Sequence, residues 1–417
     1  MDKRILYIIL ILPLIFSLYI HNPGFEAPLG LYGLKYSDIV YGLFYPIFLD
    51  FKAHSEGGRW FTGDKPTSLS KGIRVCPIPY VDYHFEYPPL AGLQWYISTC
   101  IAIYLTFPKV FDSREYRYLV DSAAMKHYVL MALTIVVSYI VLVASLLHIV
   151  RLLNLESWRV MVLALLPSTT IYIVYNWDLL AITLYTLAFY FYLQRRYSYA
   201  GALAGLSVSV KLLTVVASLI ILIMVYLKSR NLKTTSEYLI SFTAAGIAPY
   251  IILLLYTPQG FYSMVSHHSS WYCENCIYML LVGDIWSYTH KILAALVIGA
   301  ITGTLLTLTL YTRNNITKLI YVALSTPIVF NYVFSPQMII MLTPIAIIAL
   351  TNLQLLAYSI ADLANALIII VFFEDNINPW TLEGYTQKIV LVRNIILAFL
   401  VLHVLFTLYK SQFQRGH

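Results

Sequence analysis

Long apolar runs broken by short polar clusters dominate the chain. Ile5–Ile20, Tyr128–Val150, Leu212–Leu227, Tyr238–Tyr256, Ile292–Tyr311, Ile339–Leu350 and Ile389–Leu408 are nearly free of charge. Several approach the roughly 20 residues that cross the hydrocarbon core of a bilayer. Every backbone amide in lipid needs an internal partner, so such runs are helices. The pattern predicts spans at 5–21, 89–106, 127–150, 158–175, 178–194, 199–227, 235–256, 289–311, 318–333, 338–353, 355–373 and 388–409. These twelve make an all-α polytopic membrane protein with both termini on one face. Polar stretches 22–88, 257–288 and 374–387 then fall on the other. The first is too long and too patterned for a plain connector. Within it Leu31–Phe51 is aromatic and aliphatic around Pro46 and reads as one or two interfacial helices. His54–Arg74 is polar, contains glycine and is expected to be mobile. No repeat or soluble domain is visible. The whole of 1–417 therefore reads as one membrane domain, with a module at 1–256 that includes loop 22–88 and C-terminal helices at 257–417 that include loop 257–288.

Composition agrees. The 417 residues are 60% hydrophobic and 11% charged, with a mean hydropathy of +0.74. A soluble domain needs about 25% charged residues to face water. The net charge of +7 is not a nucleic-acid signal. It sits in Lys3-Arg4, Arg195-Arg196, Lys228-Ser229-Arg230 and the Lys410 to Arg415 tail, which is positive-inside topology. That rule places both termini and the loops with Arg114/Arg117/Lys126, Lys228–Lys233 and Arg313/Lys318 in the cytoplasm. The loops 22–88, 257–288 and 374–387 then lie outside. Strict alternation leaves Arg151 and Arg195-Arg196 on the wrong side, so short or re-entrant spans between 150 and 200 stay open. Met1-Asp2-Lys3-Arg4 and Ile5–Ile20 resemble a signal peptide. His21-Asn22-Pro23-Gly24 offers no small-residue cleavage site, and a retained first helix is expected. The sequon Asn315-Ile316-Thr317 falls on the cytoplasmic side and is expected to be unglycosylated. There are four cysteines. Cys273-Glu274-Asn275-Cys276 has C-x-x-C spacing without a second pair to complete a zinc site. A disulfide to Cys76, or a free thiol, is expected, and no metal.

Five places carry residues suited to chemistry. Asp38 is a lone carboxylate in the apolar stretch after the first span. Burial there raises its pKa toward that of a general base; a helix N-cap is the alternative. Glu86-Tyr87-Pro88-Pro89 opens the second span, since proline suits a first helical turn; Glu86 and Tyr87 are thereby fixed at the membrane surface. His267, His268, Trp271, Glu274 and Asn275 form an outer cluster, either a platform for a sugar and a phosphate or an aromatic belt. Phe334-Ser335-Pro336-Gln337 is a polar break that sets an amide, Gln337, at a helix start; a hairpin turn is the alternative. Asp178, Lys211, Asp362 and Arg393 are charges inside spans, where charge lines a cavity or is paired. Lys211 follows Gly201–Gly205, whose small residues permit close helix packing. Lys211 suits a lipid phosphate, and an Asp178–Lys211 pair is the equal alternative.

Taken together, these residues resemble the GT-C superfamily of membrane glycosyltransferases. They are most similar to the polyprenyl-phosphate-mannose-dependent mannosyltransferases of the family 87 type. Asp38, Tyr87-Pro88-Pro89-Leu90, Gly201–Gly205 with Lys211, His268 and Phe334-Ser335-Pro336-Gln337 run in family order across 38–338. The chain departs in having Met338 where an aromatic is usual, Asn176-Trp177-Asp178 in place of Gly-Gln, and Ser269-Ser270-Trp271 in place of an arginine. The resemblance implies inverting transfer of a hexose, most readily mannose, from a polyprenyl or dolichyl phosphate to an acceptor hydroxyl on the extracytoplasmic face. The acceptor would be a glycolipid, a lipid-linked glycan or another glycan. It implies Asp38 as base, Lys211 and His268 at the phosphate, and Glu86, Tyr87 and Gln337 at sugars, with His267, Trp271, Glu274, Asn275 and Asp178 as secondary candidates. The leaving group stays anchored in lipid, so no nucleotide loop is required and no cofactor is firmly implied; a divalent metal stays open, although no acidic pair suits a dedicated site. The rival reading is a secondary transporter or lipid flippase with Asp178, Lys211 and Asp362 as an ion relay. It fits less well with the long loops and the missing repeat. A non-catalytic scaffold is a further alternative, with no need of Asp38, Lys211 and His268 together.

Overall fold

The computed structural model describes residues 3–49, 60–61, 64–311 and 315–413. The His54–Arg59 part of the expected mobile stretch, Arg313 and Arg415 lie outside the described residues. Among those described, the protein is helical, with isolated β-bridges and no longer strand. Six segments are long and apolar enough to cross a membrane on their own: Ser113–Leu152, Leu212–Ser229, Leu232–Tyr256, Thr289–Tyr311, Asn352–Glu374 and Tyr385–Ser411. This is a polytopic membrane protein.

Helix α1 (Lys3–Ile20) leads from the face of the termini to the opposite, distal face. There the chain makes short turns: α2 (Tyr32–Lys35), a π-helical turn at Asp38–Phe44, α3 (Tyr45–Phe48) and α4 (Asp64–Ser70). Ile39, Val40, Leu43, Phe44 and Ile47 are buried in protein, so the expected interfacial helices are wedged into the bundle instead of floating on lipid. Next comes α5 (Pro89–Thr106), which corrects the second predicted span, 89–106. It does not cross. The loop before it runs along its length. Tyr80 donates to the carbonyls of Tyr87 and Pro88 at 2.7 and 3.0 Å, and Cys76 forms a disulfide with Cys100. Arg74 donates to the carbonyl of Phe107 at 3.0 Å. The loop lines one side of α5, while Leu93, Ile97, Ile101 and Leu105 on its other side stay exposed, and its end lies beside Lys126 of the following helix, whose Nζ donates to the carbonyl of Leu105 at 3.0 Å.

The return pass belongs to α6 (Tyr116–Leu152). Tyr128 and Tyr139 donate to the carbonyls of Leu18 and Leu10 at 2.6 and 2.7 Å, so α6 runs antiparallel to α1 and ends at the terminal face. A broken pass follows: α7 (Arg159–Leu165) and α8 (Pro167–Tyr172), divided at Leu166-Pro167. Arg159 binds the carbonyls of Ile347 and Leu350 at one end. The carbonyl of Ile171 meets His21 at 2.6 Å at the other. Helix α9 (Asp178–Leu193) descends and α10 (Tyr197–Val210) rises again. At Lys211 the backbone leaves the helix (φ −151°), and α11 (Val215–Ser229) descends. The single span expected at 199–227 is therefore two passes with Lys211 at the distal turn. Helices α12 (Leu232–Gly246) and α13 (Ala248–Tyr256) rise together, and α14 (Pro258–Ser270) lies on the distal face. Then α15 (Thr289–Tyr311), α16 (Ile316–Val329), α17 (Ile339–Ala349), α18 (Asn352–Glu374) and α19 (Tyr385–Phe413) alternate.

Among the described residues, one predicted pass is lost at α5 and one gained at Lys211, so twelve passes between the two faces remain while the intervening loops change sides. Arg151 and Arg195-Arg196 join Lys228, Arg230 and Lys318 on the terminal face. Arg114, Arg117 and Lys126 move to the distal face. Arg151, Arg195 and Arg196, which opposed the positive-inside pattern in the sequence, thus share the face of the termini, while Arg114, Arg117 and Lys126 leave it.

Helices α9, α10 and α12 form the tightest layer. A Cβ at Gly201 would lie 2.3 Å from the carbonyl of Tyr238, and one at Gly205 2.5 Å from that of Phe242. Only glycine allows the two backbones this close. Helix α17 is buried along its whole length, which explains how an 11-residue helix survives here: protein, not lipid, surrounds it.

Candidate active site

The distal ends of these passes gather nearly every polar residue picked out above. The centre is Asp38, the first residue of the π-helical turn. π-turns recur at functional sites because the wider coil re-aims a side chain. Its amide is held by the carbonyl of Tyr175 at 3.1 Å. Its carboxylate caps no helix, so the N-cap alternative falls. Instead Oδ2 accepts from three neutral side chains: Tyr87 Oη at 2.9 Å, Asn176 Nδ2 at 3.3 Å and Gln337 Nε2 at 3.5 Å. Oδ1 has no hydrogen-bond partner among the described residues. Burial pushes the Asp38 pKa up to about 7; the Tyr87 hydrogen bond pulls it down, Glu86 raises it, and Asn176 and Lys211 lower it. Such a group is a carboxylate poised to take a proton near neutral pH.

Tyr87 is aimed by the proline turn behind it and by Trp177, whose ring centroid is 4.5 Å from its own. Enclosure and the Asp38 charge hold its phenol well above the ordinary range, so it stays a donor. The Lys211 Nζ lies 5.7 Å from the Tyr87 ring centroid and 2.7 Å from Asp178 Oδ1. Lys211 and Asp178 therefore pair, and the pair faces the cleft: 12% of the lysine side chain is exposed against 1% of the aspartate.

The outer cluster closes over this centre. His268 Nε2 meets the carbonyl of Glu86 at 2.8 Å, and Tyr332 donates to the carbonyl of His268. Enclosure by protein and the neighbouring charges of His267 and Lys211 hold the His268 pKa below its usual value. His267 Nε2 is 3.5 Å from Glu86 and its ring is 4.6 Å from Trp271. Trp271 Nε1 donates to Glu274 at 2.7 Å, and Ser335 Oγ donates to the same carboxylate at 2.6 Å. Burial raises the Glu274 pKa; Glu86 and Lys211 are among its charged neighbours. Asn275 turns inward: its carbonyl accepts from Arg393 at 3.1 Å and Asn394 at 2.9 Å. Its place is in support, not in the cleft.

Asp38, Glu86, Tyr87, Lys211, His268 and Gln337 are thus one constellation. Sequence reasoning passed over Asn176 and Trp177, which sit in a departure from the expected family pattern, and Ser335, whose motif was read for Gln337 alone. Their signal was adjacency to residues already singled out. The remaining intramembrane charges have separate partners. Asp362 accepts from the amide of Ser168 at 3.0 Å. Arg393, fully buried, binds Asn365, Asn394 and the carbonyls of Asn275 and Phe334. Of the residues in the ion-relay alternative, Asp178 and Lys211 pair with each other, and Asp362 is held apart by Ser168.

Two groups bring ligand-type atoms within 4.8 Å of one another: His84, Glu86 and His267 at the cleft, and Cys273, Cys276 and His290 behind it. The first offers nitrogen and oxygen donors of the kind that hold a divalent cation. In the second the two sulfurs are joined as a disulfide, which removes the thiolates a metal needs. The expected cross-link from this motif to Cys76 is therefore corrected, since Cys76 is bonded to Cys100.

No family model and no curated protein matches the chain. Among solved structures it is similar to ArnT from Cupriavidus metallidurans bound to undecaprenyl phosphate. That likeness has 12% identity and a TM-score of 0.44, over 97% of this chain and 77% of that one. It is also similar to ArnT from the same organism in the apo state, with 13% identity and a TM-score of 0.39 over 87% and 76% of the two chains. Similarity at that level bears on neither substrate nor mechanism.

Proposed function

We propose that this protein is an inverting glycosyltransferase of the GT-C kind. It moves a hexose, mannose first among them, from a polyprenyl or dolichyl phosphate to an acceptor hydroxyl on the extracytoplasmic face. The observation that carries the reading is Asp38: a carboxylate of pKa about 7, tethered through one oxygen by three neutral donors, with the other oxygen left for an incoming proton and a lysine close by.

The step balances as a single displacement. The acceptor hydroxyl oxygen attacks the anomeric carbon. The bond from that carbon to the phosphate oxygen breaks, and its electron pair leaves with the lipid phosphate. The hydroxyl proton passes to Asp38 Oδ1. One displacement at the anomeric carbon inverts its configuration. Lys211, held in place by Asp178, meets the charge that develops on the leaving phosphate, and His268 supplies a neutral hydrogen-bonding ring beside it. Asp178 is then a positioning residue. The grouping of Arg151, Arg195, Arg196, Lys228 and Arg230 on the face of the termini supports cytoplasmic termini and an outward-facing cleft.

The test is label transfer. Purified protein in detergent receives radiolabelled polyprenyl-phosphate mannose and a membrane lipid extract. Transfer by the parent, with at least about a 100-fold loss in a folded Asp38→Asn variant, supports the reading, since general-base catalysis is worth about 10²–10⁴-fold. Equal transfer by both removes Asp38 from its role. No transfer with mannose, glucose or other lipid-phosphate hexoses sinks the reading altogether.

A further inference from the structure

The proposed chemistry gives no part to Glu274, a carboxylate enclosed by protein yet reached by solvent, nor to the machinery behind it. Glu274 sits between two disulfide-bonded cysteines. Asn275 is left-handed (φ 53°), a conformation asparagine tolerates better than most residues. That reversal brings Cys273 to Cys276 and projects Glu274 away from the buried pair. On one side, Glu274 pairs with 332–334 by a parallel bridge: its amide donates to the carbonyl of Tyr332 at 3.0 Å, and its carbonyl accepts from Phe334 at 2.8 Å. Behind, the Arg393 guanidinium joins the carbonyl of Asn275 to that of Phe334. Asn365, held by the same arginine, reaches the carbonyl of Pro336 at 2.8 Å. A buried ion rarely serves as a mere filler, because its desolvation must be offset by every donor it has. Here Nη2 joins the two loops directly, while Nε and Nη1 bind Asn394 and Asn365, which reach the carbonyls of Asn275 and Pro336 in turn.

The 332–337 loop is the one that reaches both carboxylates. Ser335 Oγ donates to Glu274, and Gln337 Nε2 donates to Asp38. Trp271 binds the Glu274 carboxylate through its indole N–H; its ring lies next to it, as aromatic faces do in sites that take sugars. Lys211 is a charged neighbour of both Asp38 and Glu274.

Resting on the glycosyl-transfer reading, we propose that Glu274 binds hydroxyls of the transferred hexose and so sets sugar preference, and that the Cys273–Cys276 disulfide and Arg393 are positioning elements that hold it there. Each carboxylate oxygen carries one internal hydrogen bond and keeps a second lone pair for a sugar hydroxyl.

The experiment separates sugar binding from turnover. Tryptophan fluorescence titrations compare a short-chain prenyl phosphate with the same prenyl phosphate carrying mannose. The parent is expected to bind the mannose form more tightly, and Glu274→Gln to lose about tenfold of that preference, the weight of a charge-assisted hydrogen bond, with the bare phosphate bound as before. The Cys273→Ser/Cys276→Ser variant, checked for folding by gel filtration, is expected to raise KM for the sugar donor severalfold while kcat stays within about twofold. Glu274→Asp is expected to recover part of the preference. A Glu274→Gln protein that keeps the full preference overturns this inference and leaves the transfer reading standing. A parent that binds neither lipid overturns both.

Discussion

Replacing Tyr87 by phenylalanine isolates one atom of the proposed mechanism. The ring remains over Trp177 and beside Lys211, and only the hydroxyl that donates to Asp38 Oδ2 at 2.9 Å is lost. That hydrogen bond favours the carboxylate form and is the leading influence opposing burial at Asp38. A hydrogen bond to a charged group is worth about 1.5 kcal/mol at the lower end, and about 1.4 kcal/mol is one pK unit. The Asp38 midpoint should therefore rise from about 7 to about 8. A base works ionised, so activity is lost as pH falls through the folded-state pKa. At pH 7 the ionised fraction drops from about one half to about one tenth, roughly a fivefold loss of rate. Above pH 9 both proteins are ionised and the rates should converge. The assay is label transfer across pH 5.5 to about 9.5, with donor saturating. An acid limb that stays in place or moves down in Tyr87→Phe refutes the reasoning, because the hydroxyl would then not be tuning the group whose ionisation limits the rate.

Further outcomes follow from the same geometry. Lys211→Met leaves Asp178, 1% exposed, as an unpaired buried charge, and should cost about 3–5 kcal/mol, read as a lower Tm in detergent. The Lys211→Met/Asp178→Asn pair should recover most of the Tm while label transfer stays lost; recovery of transfer would show that the lysine is structural only. Arg393→Lys cannot reach Asn365, Asn394 and two carbonyls together, and should lower stability by about 2–3 kcal/mol; an unchanged Tm contradicts the network. Topology is checked by cysteine labelling with an impermeant maleimide in sealed vesicles. Arg195→Cys should react from the same side as Ser411→Cys, and Arg114→Cys from the opposite side; the reverse assignment restores α5 as a crossing.

The sequence by itself determined that this is a helical membrane protein, because no other structure satisfies the backbone of runs so apolar. It also singled out Asp38, Glu86-Tyr87, Lys211, His268 and Gln337, since polar groups beside such runs persist only where protein or water receives them. It did not determine which apolar segments cross. Hydropathy treats 89–106 and 199–227 alike, as one span each. Only tertiary packing shows α5 lined on one side by its own loop and tied through Cys76–Cys100, and Lys211 at a helix break where it pairs with Asp178. Periodicity carries no record of such long-range partners. Nor did the sequence show that Asn176 and Gln337 would meet on one oxygen of Asp38. They come from loops 138 and 299 residues away, and only the folded bundle brings those loops together. The residues were legible because their types are costly in a membrane. Their roles were decided by the contacts that offset that cost.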